Sequence, residues 1–172
     1  MDHIIFSIVK VYTKGRITKA KLSTKRGIFS KILVAIDGSD QSMDAGDYAI
    51  EISKKDNAQL IALTVSHLPL SSYGLRSAPD TLTHEKEKNM LEAEQWFSRF
   101  NELAKHNNIK LKTDLIDSQM SIAAAIVEYA EHERVDLIIL GTRGRSGFKK
   151  LLLGSVASDV VNYATCPVMV VR

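Results

Sequence analysis

The stretch Val135-Asp136-Leu137-Ile138-Ile139-Leu140-Gly141-Thr142-Arg143-Gly144-Arg145-Ser146-Gly147-Phe148 decides the fold of this 172-residue chain. An apolar segment runs into a loop with three glycines, and Gly154-Ser155 then precedes a segment with helical periodicity. Strand, glycine loop and helix, in this order, form phosphate sites in parallel α/β sheets. Glycine lets the backbone come close to an anion, and the N–H groups at the helix start face that anion.

Strand-like and helix-like segments alternate around this stretch. Strands are predicted at residues 31–36, 59–65, 109–116, 135–140 and 167–171, and helices at 41–55, 81–107, 121–133 and 151–164. Continuous apolar strands are typical of a sheet that is covered on both faces, which favours parallel pairing. The pattern predicts one α/β domain over residues 31–172, with a single open five-stranded parallel sheet that is doubly wound and Rossmann-like.

The composition is ordinary for a soluble globular protein, with 45% hydrophobic and 25% charged residues. The single cysteine, Cys166, excludes an intramolecular disulfide and fits a reducing compartment. It is expected to be a small buried residue, with a reactive thiol as the alternative. The apolar residues 4–9 are too few for a signal peptide, so a cytoplasmic location is expected.

The N-terminal segment differs from the rest of the chain in charge. Residues 10–31 hold eight basic and no acidic residues, against 15 basic and 20 acidic residues elsewhere. Residues 1–30 are therefore interpreted as a basic extension, either a hairpin around Lys14-Gly15 or a disordered arm. Such a charge could attract nucleic acid or an anionic membrane, or dock on the acidic body of the protein's own dimer.

Two motifs follow predicted strands at their carboxyl ends, where open α/β sheets bind ligands. Asp37-Gly38-Ser39 follows the first strand, and the glycine loop follows the fourth. An acid at the first position could accept hydrogen bonds from ribose or an adenine amine, while the loop holds phosphates. The simpler interpretation is that Asp37 helps to cap a helix, that the loop is a tight turn, and that Arg143 and Arg145 form a solvated basic face.

At these residues the chain resembles the ATP-binding branch of the universal stress protein family. The pattern of that branch, Gly-x2-Gly-x9-Gly-(Ser/Thr), is matched by Gly141, Gly144, Gly154 and Ser155, with both gaps kept. Residues 31–39 and 165–171 resemble the first and last strands of the family. The resemblance covers about residues 31–172.

The resemblance implies a role for each site residue. Asp37 and Val65 would contact adenine or ribose, and backbone amides near the glycine loop would hold the phosphates. Ser155 would offer its hydroxyl and amide to the terminal phosphates. The implied site comprises Asp37, Val65, Gly141, Thr142, Arg143, Gly144, Arg145, Gly154, Ser155 and Val156.

The resemblance also implies ATP with Mg²⁺ or Mn²⁺, and a homodimer that forms through the last strand. Many family members have Gly-x-Pro before the third helix, where this chain has Met120-Ser121-Ile122. Met120 is therefore expected to narrow the pocket at the edge of the base.

These observations predict an ATP-binding regulatory protein of the stress response, in which nucleotide occupancy sets conformation or the choice of a protein partner. The sequence identifies no general base, so hydrolysis is expected to be absent or slow. One alternative is a nucleotide-free dimeric interaction scaffold. Another is an adenylating enzyme, since residues 37–42 resemble a Ser-Gly-Gly-x-Asp-Ser pyrophosphate loop with two substitutions.

Overall fold

The computed structural model describes residues 12–13, 16–17, 27–67, 79–144 and 153–172. Within these residues, strands and helices alternate from β3 onward. The elements in chain order are β1 (Tyr12–Thr13), β2 (Arg16–Ile17), β3 (Lys31–Ala35), α1 (Asp40–Asp56), β4 (Gln59–His67), α2 (Pro79–His106), β5 (Leu111–Ser118), α3 (Ile122–Glu133), β6 (Leu137–Gly141), α4 (Ser155–Tyr163) and β7 (Val168–Val171).

The strands form one sheet in the order β2-β1-β7-β6-β3-β4-β5. The five strands β3 to β7 pair in parallel with their neighbours, which confirms the predicted open, doubly wound parallel sheet. The hairpin β1–β2 extends it with antiparallel pairing at the edge of β7. This antiparallel pairing is described at residues 12–13 and 16–17, whereas the two interpretations of the extension and the division of the chain after residue 30 stay predictions.

The predicted elements are all present, and their ends differ by a few residues. β4 continues to His67 and α2 begins at Pro79, so both intrude on the segment 66–80 that was predicted to be a loop. α4 begins at Ser155 rather than at residue 151, because Gly154 is its N-cap residue. Residues 68–78 and 145–152 lie outside the described residues.

The sheet has a hydrophobic core on each face, because alternate residues of a strand point to opposite sides. Helices α1 and α2 cover one face, and α3 and α4 cover the other. The first core includes Ile32, Val34, Ala45, Ala49 and Phe100. The second core includes Leu33, Ile61, Ile126, Ile138 and Val160.

Side-chain caps and left-handed residues fix the ends of α1 and α3. Ser39 Oγ accepts the Ser42 N–H at 3.3 Å and begins α1, while Ser121 Oγ accepts a first-turn N–H at 3.2 Å and begins α3. Asn57 (φ 54°) and Arg134 (φ 55°) end the two helices. No helix in the described parts of the chain is both long and apolar enough to cross a membrane.

Cys166 lies just before β7 and packs against the second core in a half-buried position. Burial raises the pKa of its thiol, which lowers the fraction of the reactive thiolate at neutral pH. This setting favours a packing role for the side chain.

We expect Phe100→Ala to lower the free energy of unfolding by about 3–5 kcal/mol, because Phe100 is fully buried and its removal leaves a cavity between α1 and α2. Leu91→Ala, on the same helix and 61% exposed, is the matched control and should change stability by less than about 1 kcal/mol. Urea denaturation measures both variants, and equal losses would contradict the described core.

Candidate functional site

A cavity of about 460 Å³ opens at the carboxyl ends of β3, β4 and β6. β3 is followed along the chain by β4 on one side, whereas β6 lies on its other side, so strand order reverses between β3 and β6. Such a switch point is where open α/β sheets bind ligands. The cavity is lined by nine of the ten predicted site residues, namely Asp37, Val65, Gly141, Thr142, Arg143, Gly144, Gly154, Ser155 and Val156. Arg145 lies outside the described residues.

The two carboxylate oxygens of Asp37, in the β3–α1 turn, have different surroundings. Its Oδ1 accepts hydrogen bonds from the Ser39 N–H at 3.1 Å and the Ser39 hydroxyl at 2.6 Å. Ser39 then caps α1, as the simpler interpretation of the sequence expects. The other carboxylate oxygen, Oδ2, faces Gly144 across the cavity. The Ser39 bonds engage Oδ1 of Asp37, and Oδ2 lies on the side of Gly144.

Gly144 allows the β6–α4 loop to approach Asp37 closely. A Cβ atom at Gly144 would lie 2.5 Å from Asp37 Oδ2, a distance that side chains do not adopt. A larger residue at this position would meet the Asp37 carboxylate, so that either this side chain or the loop must shift. The glycine thus joins the two motifs that the sequence predicted on separate strands.

Thr142 fixes both ends of the glycine segment. Its N–H donates to the Val171 carbonyl at 2.7 Å, and its carbonyl accepts the Gly154 N–H at 2.7 Å. The residue that leaves β6 is thereby bonded to the end of β7 and to the start of α4. The segment from residue 141 to residue 155 therefore begins and ends at the cavity.

The N-terminus of α4 points its first-turn N–H groups toward the cavity lining at Ser155 and Val156. The first N–H groups of a helix have no partner within the helix, and together they carry partial positive charge. The N-cap residue Gly154 has no side chain that could accept from them. This end of the cavity therefore suits a phosphate or another anion.

Helix α2 forms a wall of the cavity that sequence reasoning missed. Asn89, Glu92 and Trp96 line the cavity. The Asn89 amide donates to Ser66 Oγ at 3.3 Å, and Oε2 of Glu92 has less than 1 Å² of accessible area. These three residues are spaced by three and four positions, which places them on one face of the helix. The sequence can therefore predict that they share a face, but not that this face lines a cavity.

Apolar side chains from the strands and from α3 also line the cavity. Val65 and Leu115 come from strand ends, and Ile122 and Ile126 come from α3. The expectation for Met120 was wrong: its side chain is 43% exposed and is not among the described lining residues. The departure from Gly-x-Pro therefore affects the cavity through Ile122, two residues later.

Trp96 packs directly on Gly38, the residue after Asp37. Gly38 has φ +78°, a conformation that disfavours side chains, and a Cβ atom there would enter the indole ring. The contact ties α2 to the turn that holds the carboxylate.

Comparison with known proteins identifies the family. The model of the universal stress protein family matches residues 29–172. Universal stress protein MJ0531 of Methanocaldococcus jannaschii is 33% identical over 84% of this chain and 83% of its own length. Universal stress protein YxiE of Bacillus subtilis is 34% identical over 84% of this chain and its whole length. The chain belongs to the universal stress protein family.

Solved structures agree with this assignment. A universal stress protein in complex with cAMP superposes with a TM-score of 0.63 at 27% sequence identity, covering 84% of this chain and 97% of that protein.

We expect Gly38→Ala to lower the free energy of unfolding by about 1–3 kcal/mol, because alanine at positive φ is strained and its methyl group meets Trp96. Gly154→Ala is the matched control in the same site. Gly154 has φ −68°, and the nearest atom to an added Cβ is 3.2 Å away. The control should lose less than about 1 kcal/mol. Urea denaturation followed by Trp96 fluorescence compares the two, and equal losses would exclude the proposed strain at Gly38.

Proposed function

We propose that this universal stress protein binds ATP in the cavity between β3 and β6, and that nucleotide occupancy sets its conformation or its choice of protein partner in a stress response. The observation that carries the proposal is the approach of Gly144 to the Asp37 carboxylate, which unites an acid and a glycine loop at a switch point. The family structure that contains cAMP supports an adenine nucleotide as the ligand.

The phosphates are assigned to the β6–α4 end of the cavity. The Gly144 backbone, the N–H groups in the first turn of α4 and the Ser155 hydroxyl can surround an anion there. Arg143 and Arg145 add positive charge to this segment. Mg²⁺ or Mn²⁺ would be held through phosphate oxygens, because no three His, Cys, Asp or Glu side chains come together as metal ligands among the described residues.

The base is assigned to the α2 end. Apolar side chains, including Val65 and Ile126, offer faces for a flat ring, and polar groups at Ser66, Asn89 and Glu92 offer an edge. An ionised carboxylate only accepts hydrogen bonds. The ligand edge that meets Oε1 of Glu92, which also lies 3.9 Å from Lys88 Nζ, is therefore proposed to donate, and the 6-amino group of adenine is such a donor.

Hydrolysis is proposed to be absent or slow. A general base must reach the attacking water beside the terminal phosphate. Among the described lining residues the carboxylates are Asp37 and Glu92. Asp37 holds the Ser39 turn through Oδ1, and Glu92 lies on the α2 wall that is assigned to the base. We therefore assign Asp37 to the turn and Glu92 to the base rather than to phosphate cleavage, and propose a regulatory role over an enzymatic one.

A homodimer through β7 is part of the same proposal. β7 ends the parallel part of the sheet, and its sequence, Val-Met-Val-Val, is apolar and uncharged. Edge strands of this kind readily pair with another chain.

We expect ATP to bind the full chain and to bind Gly144→Val at least about 10-fold more weakly, because the valine side chain occupies the space beside the Asp37 carboxylate in the cavity. Gln95→Val, on the exposed face of α2, is the control and should bind like the parent. Isothermal titration calorimetry measures all three. No measurable affinity in the parent would reject ATP binding and favour the nucleotide-free scaffold.

We expect removal of the 6-amino group from the ligand to weaken binding to the parent chain by about 10- to 150-fold, the usual range for a hydrogen bond to a charged group. Purine riboside triphosphate is the ligand that lacks this group. In Glu92→Leu the two ligands should bind within about 3-fold of each other, because the acceptor is gone.

Glu94→Leu is the matched control, since Glu94 lies on the same helix and is exposed. It should keep the preference of the parent for ATP. If Glu92→Leu keeps the full preference as well, the base is not read by Glu92.

A further inference from the structure

The N-terminal extension precedes the family match, which begins at residue 29, and it contributes two strands to the sheet. Tyr12 pairs with Ile17 inside the hairpin and with Val168 of β7, both antiparallel. The hairpin therefore occupies the edge of β7, the same edge that a second copy of the chain would use in the proposed dimer.

The hydrogen bonds of β7 show which residues face that edge. The Pro167 and Val171 carbonyls accept N–H groups from the β6 side, at Ile138 (3.0 Å) and Thr142 (2.7 Å). Because backbone groups alternate in direction along a strand, Val168 and Val170 point their N–H and C=O groups away from β6. The register of Tyr12 with Val168 agrees with this alternation.

The opposite edge of the sheet is protected in a different way. β5 carries Lys112, Asp114 and Asp117, and Lys86 of α2 lies 3.1 Å from the Asp117 carboxylate. Charges on an edge strand disfavour pairing with another chain. β7 has no charged residue, so its edge depends on a cover.

The hairpin places the short strand β2, in place of β7, at the edge of the sheet. Its outer strand, Arg16–Ile17, lies in the segment 10–31 with eight basic and no acidic residues. Short strands and basic residues are common protections of a sheet edge. A two-residue outer strand offers little edge for a second copy to pair with, whereas two exposed β7 strands can pair about a two-fold axis.

We propose that the extension is an intramolecular cover of β7, which competes with a second copy of the chain for the same strand edge. The inference rests on the dimer through β7 that is part of the proposed function. When the hairpin leaves β7, the chain dimerises; when it returns, the dimer separates.

The expected effect follows from the population of uncovered edges. If only a fraction f of the chains is in the binding-competent state, the apparent dissociation constant rises by a factor of 1/f. A dimer needs this state in both copies, so the factor applies twice. A hairpin that covers 90% of the edges therefore raises the apparent dimer dissociation constant about 100-fold. Disruption of the hairpin removes this factor.

The experiment compares full-length variants by sedimentation velocity over a range of protein concentrations. Tyr12→Pro disrupts the strand that pairs with β7. Val170→Pro, added to it, removes a donor that faces the edge of β7 while the bonds to β6 remain. Thr113→Pro, added instead, is the matched control on the other edge, since the Lys110 carbonyl bonds to β4 and residue 113 therefore faces away from β4.

We expect the dimer dissociation constant to fall by about 10- to 100-fold in Tyr12→Pro, to rise again with Val170→Pro, and to stay low with Thr113→Pro. Equal dimerisation of the parent and Tyr12→Pro would overturn the cover and leave the dimer standing. If neither chain dimerises, both the cover and the β7 dimer are rejected. A dimer of Tyr12→Pro that survives Val170→Pro would also overturn the inference. ATP titration of each variant checks the cavity separately.

Discussion

The pairing of β3 with β6 is the constraint on which the site depends. Residues far apart in the chain become neighbours through the registers Ile32 with Leu137 and Val34 with Ile139. Because the strands are parallel, the segments that follow them leave the sheet at the same end. Asp37 and Gly144 can meet for this reason alone, and the crevice exists wherever the two apolar strands are buried side by side.

Different kinds of chemical groups line the two ends of the cavity. The end proposed for the phosphates consists mainly of backbone groups, held by Thr142 between β7 and α4. The α2 end consists of side chains, among them Asn89, Glu92 and Trp96. Backbone N–H donors can bind the phosphate of any nucleotide, whereas side chains discriminate between the hydrogen-bonding edges of different bases. A change of specificity to another nucleotide should therefore require substitutions on α2, whereas the glycine segment could keep its sequence.

This division explains how much could be predicted from the sequence. The parallel sheet and the position of Gly144 follow from local patterns, since apolar strands, a glycine loop and helical periodicity are each visible over a few residues. The α2 wall does not, because the rotation of a long helix is set by the packing of Phe97 and Phe100 in the core. The pairing of Tyr12 with Val168 is equally hidden, since it joins opposite ends of the chain. The bounds of α4 were shifted because Gly154 caps the helix without a side chain.

Strand β7 physically connects the proposed nucleotide site to the proposed interface. Its Val171 carbonyl accepts the Thr142 N–H on the β6 side, while Val168 faces the hairpin on the other. A phosphate that orders the backbone at Thr142 and a partner strand that replaces Tyr12 would act on opposite sides of the same four residues. Coupling between two binding events is reciprocal, so a nucleotide that stabilised the dimer would be bound more tightly by the dimer, by the same factor. Because β7 is short, this strand is the physical route for any such coupling. The extension would act on nucleotide binding and on dimerisation through the one edge of β7 that it covers.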